Sequence, residues 1–443
     1  MDRKKGPKAD PSFHFSSAPS QSPLPPSQSV PVSMKIKKRL FIKADKQPCT
    51  FETTSLITKY KKTNSIFESR SVIKKIMNFI KLYKNRFIKL NIPIMNKKRN
   101  LTTTSSEEWI NGLSKTSHYF KDEHHSIHCV NIKKYNIKEN ELLNPIFMLH
   151  GAIENRKIFY SDTGKGLACY LANNNYNVFI IDYRGRGKST PSIDEDSNHG
   201  QTEVIQKTIP STFDFIKNQT KNINNNNKLK QIWISHSWGG VCMTSAMAYK
   251  PDMIKDIACQ IHFGTKFDIK TRNWNYLTQV LIGYSFLMPL LSYFHNGSCP
   301  CHRYGIGSDG ETLQMLQQCG KWIKGDVNTH WYDDKKGYEF NYNDSFLKNI
   351  KNQVPGMHVY ALGDKILGHP NDVKRWAQYT NQTQCLLELD KSFDHINMLT
   401  HKKCEIKDGK VDSNKIEQDG DSLEIKRSSG HFHDVMNFIK KYA

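Results

Sequence analysis

This 443-residue sequence lacks a secretory signal and a disulfide pattern, and its basic beginning contains few acidic residues. The opening "MDRKKGPKAD" is charged and no apolar run follows it, which argues against secretion. The ten cysteines have no regular spacing, so we expect mostly free thiols in a reducing compartment. These absences predict an intracellular, cytoplasmic protein, with attachment to the periphery of a membrane as an open alternative.

The sequence also lacks a paired set of metal ligands. Its tightest cysteine group is "SCPCH", which contains Cys299, Cys301 and His302. Structural zinc sites need a second pair of ligands, and none accompanies this group. We therefore interpret it as a free-thiol loop, keep metal binding there as the alternative, and predict neither a metal nor a cofactor.

Acidic residues are scarce only in the first quarter of the chain. Residues 1–99 contain 5 Asp/Glu against 23 Lys/Arg, whereas residues 100–443 contain 37 against 41. The formal net charge of +22 therefore belongs mainly to an N-terminal extension. A uniformly basic nucleic-acid binder would not show this distribution, so we expect no nucleic-acid partner.

The N-terminal extension divides into two parts. Residues 1–33 are rich in Pro and Ser, which predicts a disordered tail. Residues 34–106 form a basic extension, in which apolar residues from Ile73 to Phe87 recur at helical spacing opposite several lysines. Such a helix suits an anionic membrane surface, which is therefore a candidate partner of residues 34–99. A solvated basic linker and an organelle-targeting segment are the alternatives.

From residue 107 to residue 443 the pattern is that of an α/β domain. Short apolar runs, typical of strands buried on both faces, occur at 145–151, 177–183, 230–236, 257–264, 357–363 and 384–390. Helical patterns lie between most of these runs, and parallel strands need such crossovers. We predict a mostly parallel central sheet with helices on both faces. The charged residues 402–428 are interpreted as an insertion before a final helix.

Residues 268–345 interrupt the alternation of strands and helices. Their centre, "YLTQVLIGYSFLMPLLSYF" at 276–294, has no charged residue and is long enough for a transmembrane helix. A crossing would place strands of one sheet in different compartments, so we predict a helical cap or lid over the site. A lid that dips into a membrane and a true span remain alternatives.

Ser237, in "QIWISHSWGG", lies where a strand pattern changes into a helix pattern. It is either a polar filler in a tight turn or the nucleophile at a sharp strand-to-helix elbow. Asp364 and His395 follow later strands, and the order Ser, Asp, His is the one associated with this elbow. Sites in open α/β sheets collect at the carboxyl ends of the strands. These three residues are therefore the candidate catalytic triad.

Five segments in this order, "MLHG", "IDYRGRGKS", "SHSWGG", "ALGDKILGHPNDV" and "DHINMLTH", resemble the motifs of lipase- or esterase-like serine hydrolases of the α/β-hydrolase fold superfamily. The resemblance covers residues 107–443. It implies Ser237 as nucleophile, His395 as general base and Asp364 as the residue that orients the imidazole. It also implies an oxyanion hole formed by the backbone N–H groups of Trp238 and Ala152.

One position departs from the family pattern, and several residues compete for the two other triad roles. Ser235 stands where the family usually has glycine, and its Cβ adds crowding near a tight turn. The competing residues are His401, His431 and His433 for the base, and Asp268, Asp372, Asp390 and Asp394 for the acid. Asp372 is expected to cap the helix "DVKRWAQYT" instead.

Together these features predict a serine hydrolase that cleaves carboxylic esters of a hydrophobic acyl substrate through an acyl-serine intermediate. The apolar cap, rich in Leu, Phe and Tyr, favours such small-molecule or lipid esters. Thioesters, amides and acyl transfer need the same triad and stay open. A catalytically inactive scaffold and a membrane-surface binding protein are the alternatives from other classes.

Overall fold

The computed structural model describes residues 108–221, 229–271, 287–406, 417–419 and 422–443. The predictions of a disordered tail at 1–33 and a basic amphipathic extension at 34–106 lie outside the described residues. So does much of the uncharged stretch at 276–294, of which only residues 287–294 are described.

An eleven-stranded sheet forms the centre of the described part of the chain. Its strands lie in the order β1-β2-β3-β5-β4-β6-β7-β12-β13-β15-β14, and two short hairpins, β8–β9 and β10–β11, lie apart from it. The strands are β1 Glu108–Ile110, β2 Leu113–Asp122, β3 His125–Lys134, β4 Leu143–Leu149, β5 Tyr176–Ile181, β6 Gln231–His236, β7 Ile257–Phe263, β8 Ser298–Cys299, β9 Glu311–Thr312, β10 Tyr332–Asp333, β11 Phe340–Asn341, β12 Gly356–Ala361, β13 Cys385–Leu389, β14 Glu417–Asp419 and β15 Ser422–Arg427.

The strands from β5 to β15 in this order pair in parallel, whereas β1, β2, β3 and β14 join antiparallel. The central strands are continuous apolar runs because both of their faces are covered. In β6, for example, every residue is buried. Parallel strands end at one edge of the sheet, so the segments that follow β4, β6, β7, β12 and β13 meet there.

Helices cover both faces of the sheet, as predicted. One core joins α1 and α11 to residues such as Ile146 and Ile234, and the other joins α3 and α4 to Phe147 and Trp233. A π-helical turn at Val204–Thr208 connects α2 to α3. The helices are α1 Leu167–Asn173, α2 Gln201–Glu203, α3 Ile209–Gln219, α4 Trp238–Tyr249, α5 Met288–Phe294, α6 Leu313–Lys324, α7 Val327–His330, α8 Tyr342–Asn349, α9 Pro370–Thr380, α10 Asn397–Thr400 and α11 His431–Tyr442.

The charged stretch 402–428 does more than the sequence indicated. Its end forms β15, which pairs in parallel with β13, so that Ile425 lies opposite Leu387. Leu423 and Ile425 pack against the core, while Glu424 and Lys426 alternate with them. This strand was not predicted because its charged residues mask a two-residue apolar alternation.

Aromatic residues hold the segment between β7 and β12 together and pack it against helix α9. Trp322 of α6 stacks on Phe267 with ring centroids 5.5 Å apart, and Trp331 contacts Trp376 at 5.3 Å.

Within the part of the chain that the structure describes, no helix is both long enough and apolar enough to cross a membrane. The described end of the uncharged stretch forms α5, a helix of 7 residues.

Candidate active site

Ser237 occupies a strained turn between β6 and α4. Its backbone has φ 51° and ψ −126°, a region that residues other than glycine rarely adopt. The turn is held on two sides: the Ser237 N–H donates to the Phe263 carbonyl at 2.8 Å, and its carbonyl accepts from Thr265 Oγ1 at 3.0 Å. Such a conformation costs about 1–3 kcal/mol, so the surrounding hydrogen bonds must maintain it.

Close packing at this turn explains two of the neighbouring glycines. A Cβ on Gly151, in the loop after β4, would lie 2.8 Å from the Ser237 Cβ. A Cβ on Gly239 would lie 2.5 Å from the His150 carbonyl oxygen. The loop after β4 can therefore approach the half-buried Ser237 only because both positions lack a side chain.

Asp364 and His395 are brought together from the loops after β12 and β13. The His395 Nδ1–H donates to Asp364 Oδ2 at 2.6 Å, and both side chains are almost completely buried. The Gly264 backbone lies against the imidazole, because a Cβ there would be 2.9 Å from His395 Cε1. Gly264 directly follows Phe263, which accepts the hydrogen bond from Ser237, so the pair lies beside the elbow.

The charge states of this pair suit proton transfer. Burial alone raises the pKa of Asp364, but the charge and hydrogen bond of His395 outweigh it and hold that pKa well below its usual range. Burial lowers the pKa of His395 more than Asp364 raises it. At neutral pH the carboxylate is therefore ionised and the imidazole is neutral, which is the form that accepts a proton.

The third contact of a triad is absent from this geometry. Among the described residues, no hydrogen bond joins Ser237 Oγ to His395. Such contacts are often long without substrate and tighten when substrate binds. The structure thus brings Asp364 and His395 into direct contact. Ser237 lies in the neighbouring turn, without a hydrogen bond to His395.

The two N–H groups of the candidate oxyanion hole border on the elbow. Trp238 is the first residue of α4, where backbone N–H groups have no partner within the helix. Its indole is anchored by a hydrogen bond from Nε1 to Gln201 Oε1 at 3.1 Å. Ala152 follows Gly151, whose own N–H donates to Glu154 Oε2 at 2.9 Å.

His236 and Glu154 form a buried ion pair that sequence reasoning missed. His236 Nδ1 lies 2.8 Å from Glu154 Oε2, and His236 Nε2 lies 2.8 Å from the His395 carbonyl oxygen. Both partners only accept, so the ring makes both bonds only as an imidazolium. Burial lowers the pKa of His236, but Glu154 raises it further, and the net pKa is raised. The pair ties the loop after β4 to the elbow and to the His395 loop.

Lys266 is a second residue that sequence reasoning missed. It follows β7 and is buried, close enough to Asp364, Asp372 and Asp268 for their charges to oppose the effect of burial on its pKa. Burial lowers its pKa, while the charge of Asp364 raises it. Its positive charge in turn lowers the pKa of His395. "FGTKFD" offers no spacing that would single out this lysine from the other 63 Lys and Arg residues.

Ser235, where the family usually has glycine, points into the core. It is fully buried, and its Oγ lies 2.7 Å from Nδ1 of His262, its ladder neighbour on β7. Burial lowers the pKa of His262 to about 3, so the bond joins two neutral groups. The Ser235 side chain is therefore accommodated within the sheet.

The four competing acids, and His401 and His431 among the competing histidines, have other contacts. Asp268 pairs with Arg375, Asp390 and Asp394 cap their own loops, and His431 Nε2 bonds to the Met398 carbonyl. The expected cap role of Asp372 is wrong. Helix α9 begins earlier, at Pro370, because proline suits the first helical position. The residue before it, His369, therefore occupies the cap position, and its side chain accepts the capping N–H.

The "SCPCH" group forms a buried thiol pair. The sulfur atoms of Cys299 and Cys301 lie 3.4 Å apart, and neither forms a disulfide. His302 is exposed to solvent. Its side chain therefore does not share the buried environment of the two thiols.

Comparisons with known proteins agree with this architecture. The model of the alpha/beta hydrolase fold family matches residues 144–265, which include β4, the elbow and β7. No curated protein sequence gives a significant match. The family match and the mostly parallel sheet with helices on both faces show that the chain has the α/β-hydrolase fold.

Solved structures with a similar fold include three hydrolases. The chain is similar to a putative lipase from Acinetobacter baumannii (TM-score 0.38, 16% identity, covering 66% of this chain and 87% of that one). It is also similar to a soluble variant of a monoglyceride lipase from Saccharomyces cerevisiae (TM-score 0.47, 16% identity, covering 79% of this chain and 98% of that one). A variant of a potato epoxide hydrolase is a third such structure (TM-score 0.41, 11% identity, covering 74% of this chain and 100% of that one).

Proposed function

We propose that the chain is a serine hydrolase that cleaves carboxylic esters of hydrophobic acyl groups. The observation that carries this proposal is the 2.6 Å bond between Asp364 and His395, beside a serine in a strained strand-to-helix turn. A serine hydroxyl is a weak nucleophile until a neighbouring imidazole accepts its proton. A neutral His395, oriented by an ionised Asp364, supplies that proton acceptor.

In the proposed reaction Ser237 Oγ attacks the ester carbonyl carbon as its proton passes to His395 Nε2. The carbonyl oxygen becomes an oxyanion, which accepts hydrogen bonds from the Trp238 and Ala152 N–H groups; one such donor is worth about 3–4 kcal/mol. His395 then protonates the leaving alkoxide, and an acyl-serine remains. Water, deprotonated by the same imidazole, releases the acid.

The segment 268–345 is proposed to act as a cap that favours apolar acyl groups. The ring centroid of its Trp322 lies 6.2 Å from that of Trp238. Trp238 is the residue directly after the proposed nucleophile. Helix α5 of the segment exposes Tyr293 and Phe294, two large apolar side chains. A role of residues 34–99 at an anionic membrane surface is proposed from the sequence alone.

Labelling with a fluorophosphonate probe tests the nucleophile without knowledge of the substrate. The wild-type chain is expected to be labelled and Ser237→Ala is not, because the probe reacts only with an activated serine. Ser161→Ala, which changes an exposed serine, is the matched control and should be labelled like the wild type. Labelling that persists in Ser237→Ala would refute the assignment of the nucleophile.

An inactive scaffold is the second candidate function. The absence of a hydrogen bond between Ser237 and His395 in the described chain favours it. A folded wild-type chain that resists labelling across pH 6–9 would support the scaffold, and labelling would exclude it.

A further inference from the structure

Two histidines and an aspartate converge on the surface next to the β2–β3 turn. His124 lies in this turn, His125 begins β3, and Asp196 lies in the loop that follows β5. His124 Nε2 is 2.8 Å and His125 Nε2 is 3.5 Å from the same oxygen, Asp196 Oδ2. Within the described residues, this is the one group of three His, Cys, Asp or Glu side chains whose donor atoms all lie within 4.8 Å of one another.

The buried histidine of this group and a neighbouring buried histidine lack hydrogen bonds at their ring nitrogens. His125 is fully buried, and neither of its ring nitrogens has a hydrogen-bond partner among the described residues. The same holds for His199, which is 1% exposed and meets His125 edge-on with ring centroids 4.9 Å apart. Buried polar groups in proteins almost always have a partner, because an unpaired one costs about 1–3 kcal/mol. A metal ion would take up the lone pair of one ring nitrogen of each imidazole that it binds.

Burial keeps the imidazoles near this group neutral, and the positive charges of Arg184 and Arg186 act in the same direction. Burial, with the charges of Arg184 and His124, lowers the pKa of His125 to about 4, and burial lowers that of His199 to about 2. Burial raises the pKa of Asp196, but its hydrogen bond from His124 and other contacts outweigh this and lower it. The group therefore presents neutral imidazoles and an ionised carboxylate, the protonation states in which these side chains bind metals.

The neighbouring arginine does not compete for Asp196. The Arg184 guanidinium is taken up by Asp122, with bonds of 2.8 and 2.7 Å. Asp196 Oδ1 accepts only a local backbone bond, from the Asn198 N–H at 2.9 Å. Its Oδ2 is the oxygen on which both imidazoles converge, at 2.8 Å from His124 Nε2 and 3.5 Å from His125 Nε2, and a metal ion bound there would replace the proton of the His124–Asp196 hydrogen bond.

We propose that His124, His125 and Asp196 bind one divalent transition-metal ion, with zinc as the best match to two imidazoles and a carboxylate. Water completes the coordination, and His199 is the nearest further imidazole. The ion would fasten the β2–β3 turn to the loop after β5. That loop also holds the segment after β7, through Ser197 Oγ to the Asn296 carbonyl at 3.1 Å and an ion pair between Asp194 and Arg303. The ion would therefore act on the stability of this contact between loops, and the proposal does not depend on the proposed hydrolase activity.

The test uses the full chain, purified without a histidine tag and stripped with a chelator. Zn²⁺ is titrated against a chromophoric chelator, and we expect one ion per chain. His124→Ala and Asp196→Asn, which change partly exposed side chains, should each weaken binding at least about 100-fold, because even an outer-shell change costs 10–100-fold. His302→Ala, at another exposed histidine, should bind like the wild type.

A second measurement on the wild type needs no variant. Co²⁺ should give visible absorption bands of a nitrogen and oxygen site, and Zn²⁺ should raise the melting temperature of the wild type but not of Asp196→Asn. A thiolate-to-metal charge-transfer band would place the ion on cysteines and overturn the proposal. So would a wild type that binds no ion, or variants that bind as tightly as the wild type.

Discussion

Two groups of buried histidines in this molecule differ in how their ring nitrogens are satisfied. At the elbow, His236 and His395 both bond to carboxylates, and His236 also bonds to a backbone carbonyl. Next to the β2–β3 turn, His125 and His199 are equally buried but bond to nothing among the described residues. The comparison teaches that burial alone does not define a histidine's role. The histidines of the elbow group have partners within the protein, whereas the ring nitrogens of His125 and His199 have none among the described residues, which is the basis of the proposed metal site.

The same contrast appears in the pKa values. Glu154 raises the pKa of His236 against the effect of burial, and Asp364 partly offsets the effect of burial on His395. Around His125 the positive charge of Arg184 adds to burial, and the pKa falls to about 4. A paired carboxylate therefore opposes the effect of burial on the pKa of an imidazole, and it outweighs burial at His236 but not at His395.

The largest expected effect comes from removing the carboxylate that completes the elbow group. Asp364→Asn should lower the rate of fluorophosphonate labelling by about 10⁴-fold, because the amide no longer orients His395 or stabilises its imidazolium. Asp372→Asn, at a second buried aspartate nearby, is the matched control and should label at close to the wild-type rate. Equal rates for the two variants would remove Asp364 from the triad.

A smaller effect is expected from the ion pair behind the elbow. Glu154→Gln should lower the free energy of unfolding by about 3–5 kcal/mol at pH 7, because it leaves the buried His236 without its counter-charge. Urea unfolding, with the exposed Glu141→Gln as control, measures this loss.

The pH dependence sharpens the same test. The folded pKa of His236 lies above its usual value, so the stability that it contributes is complete below about pH 6.5 and declines as pH rises through the folded pKa. Glu154→Gln should lack this decline. A wild type whose stability stays constant from pH 6 to pH 9 would contradict the imidazolium assignment.

The smallest expected effect concerns Lys266. Its charge lowers the pKa of His395, so Lys266→Met should raise that pKa and move the acid limb of the labelling profile to higher pH. Labelling should then be a few-fold slower near pH 6 and unchanged at pH 8, because a charge change of this kind alters protonation alone. Lys348→Met, at an exposed lysine, should leave the profile in place. A shift to lower pH would show that Lys266 does not act on His395.

Much of the fold could be predicted because its signals are local. The apolar runs of the parallel strands are continuous, and the helical repeats between them define the crossovers. Ser237, Asp364 and His395 could be selected because each follows a strand, and the strands end at one edge. Strand β15 was not predicted because it carries alternating charges. The start of α9 was predicted wrongly because a histidine, which is an unusual capping residue, precedes it.

The sequence by itself determined the α/β class, the position of the elbow and the order of the triad candidates, because periodicity and turn chemistry act between residues close in the chain. Only the tertiary structure decided which buried polar groups meet. Glu154 and His236 are 82 residues apart, and Asp196 lies about as far from His125. No spacing predicts such pairs, since sheet order and loop packing bring them together and burial then sets their charge.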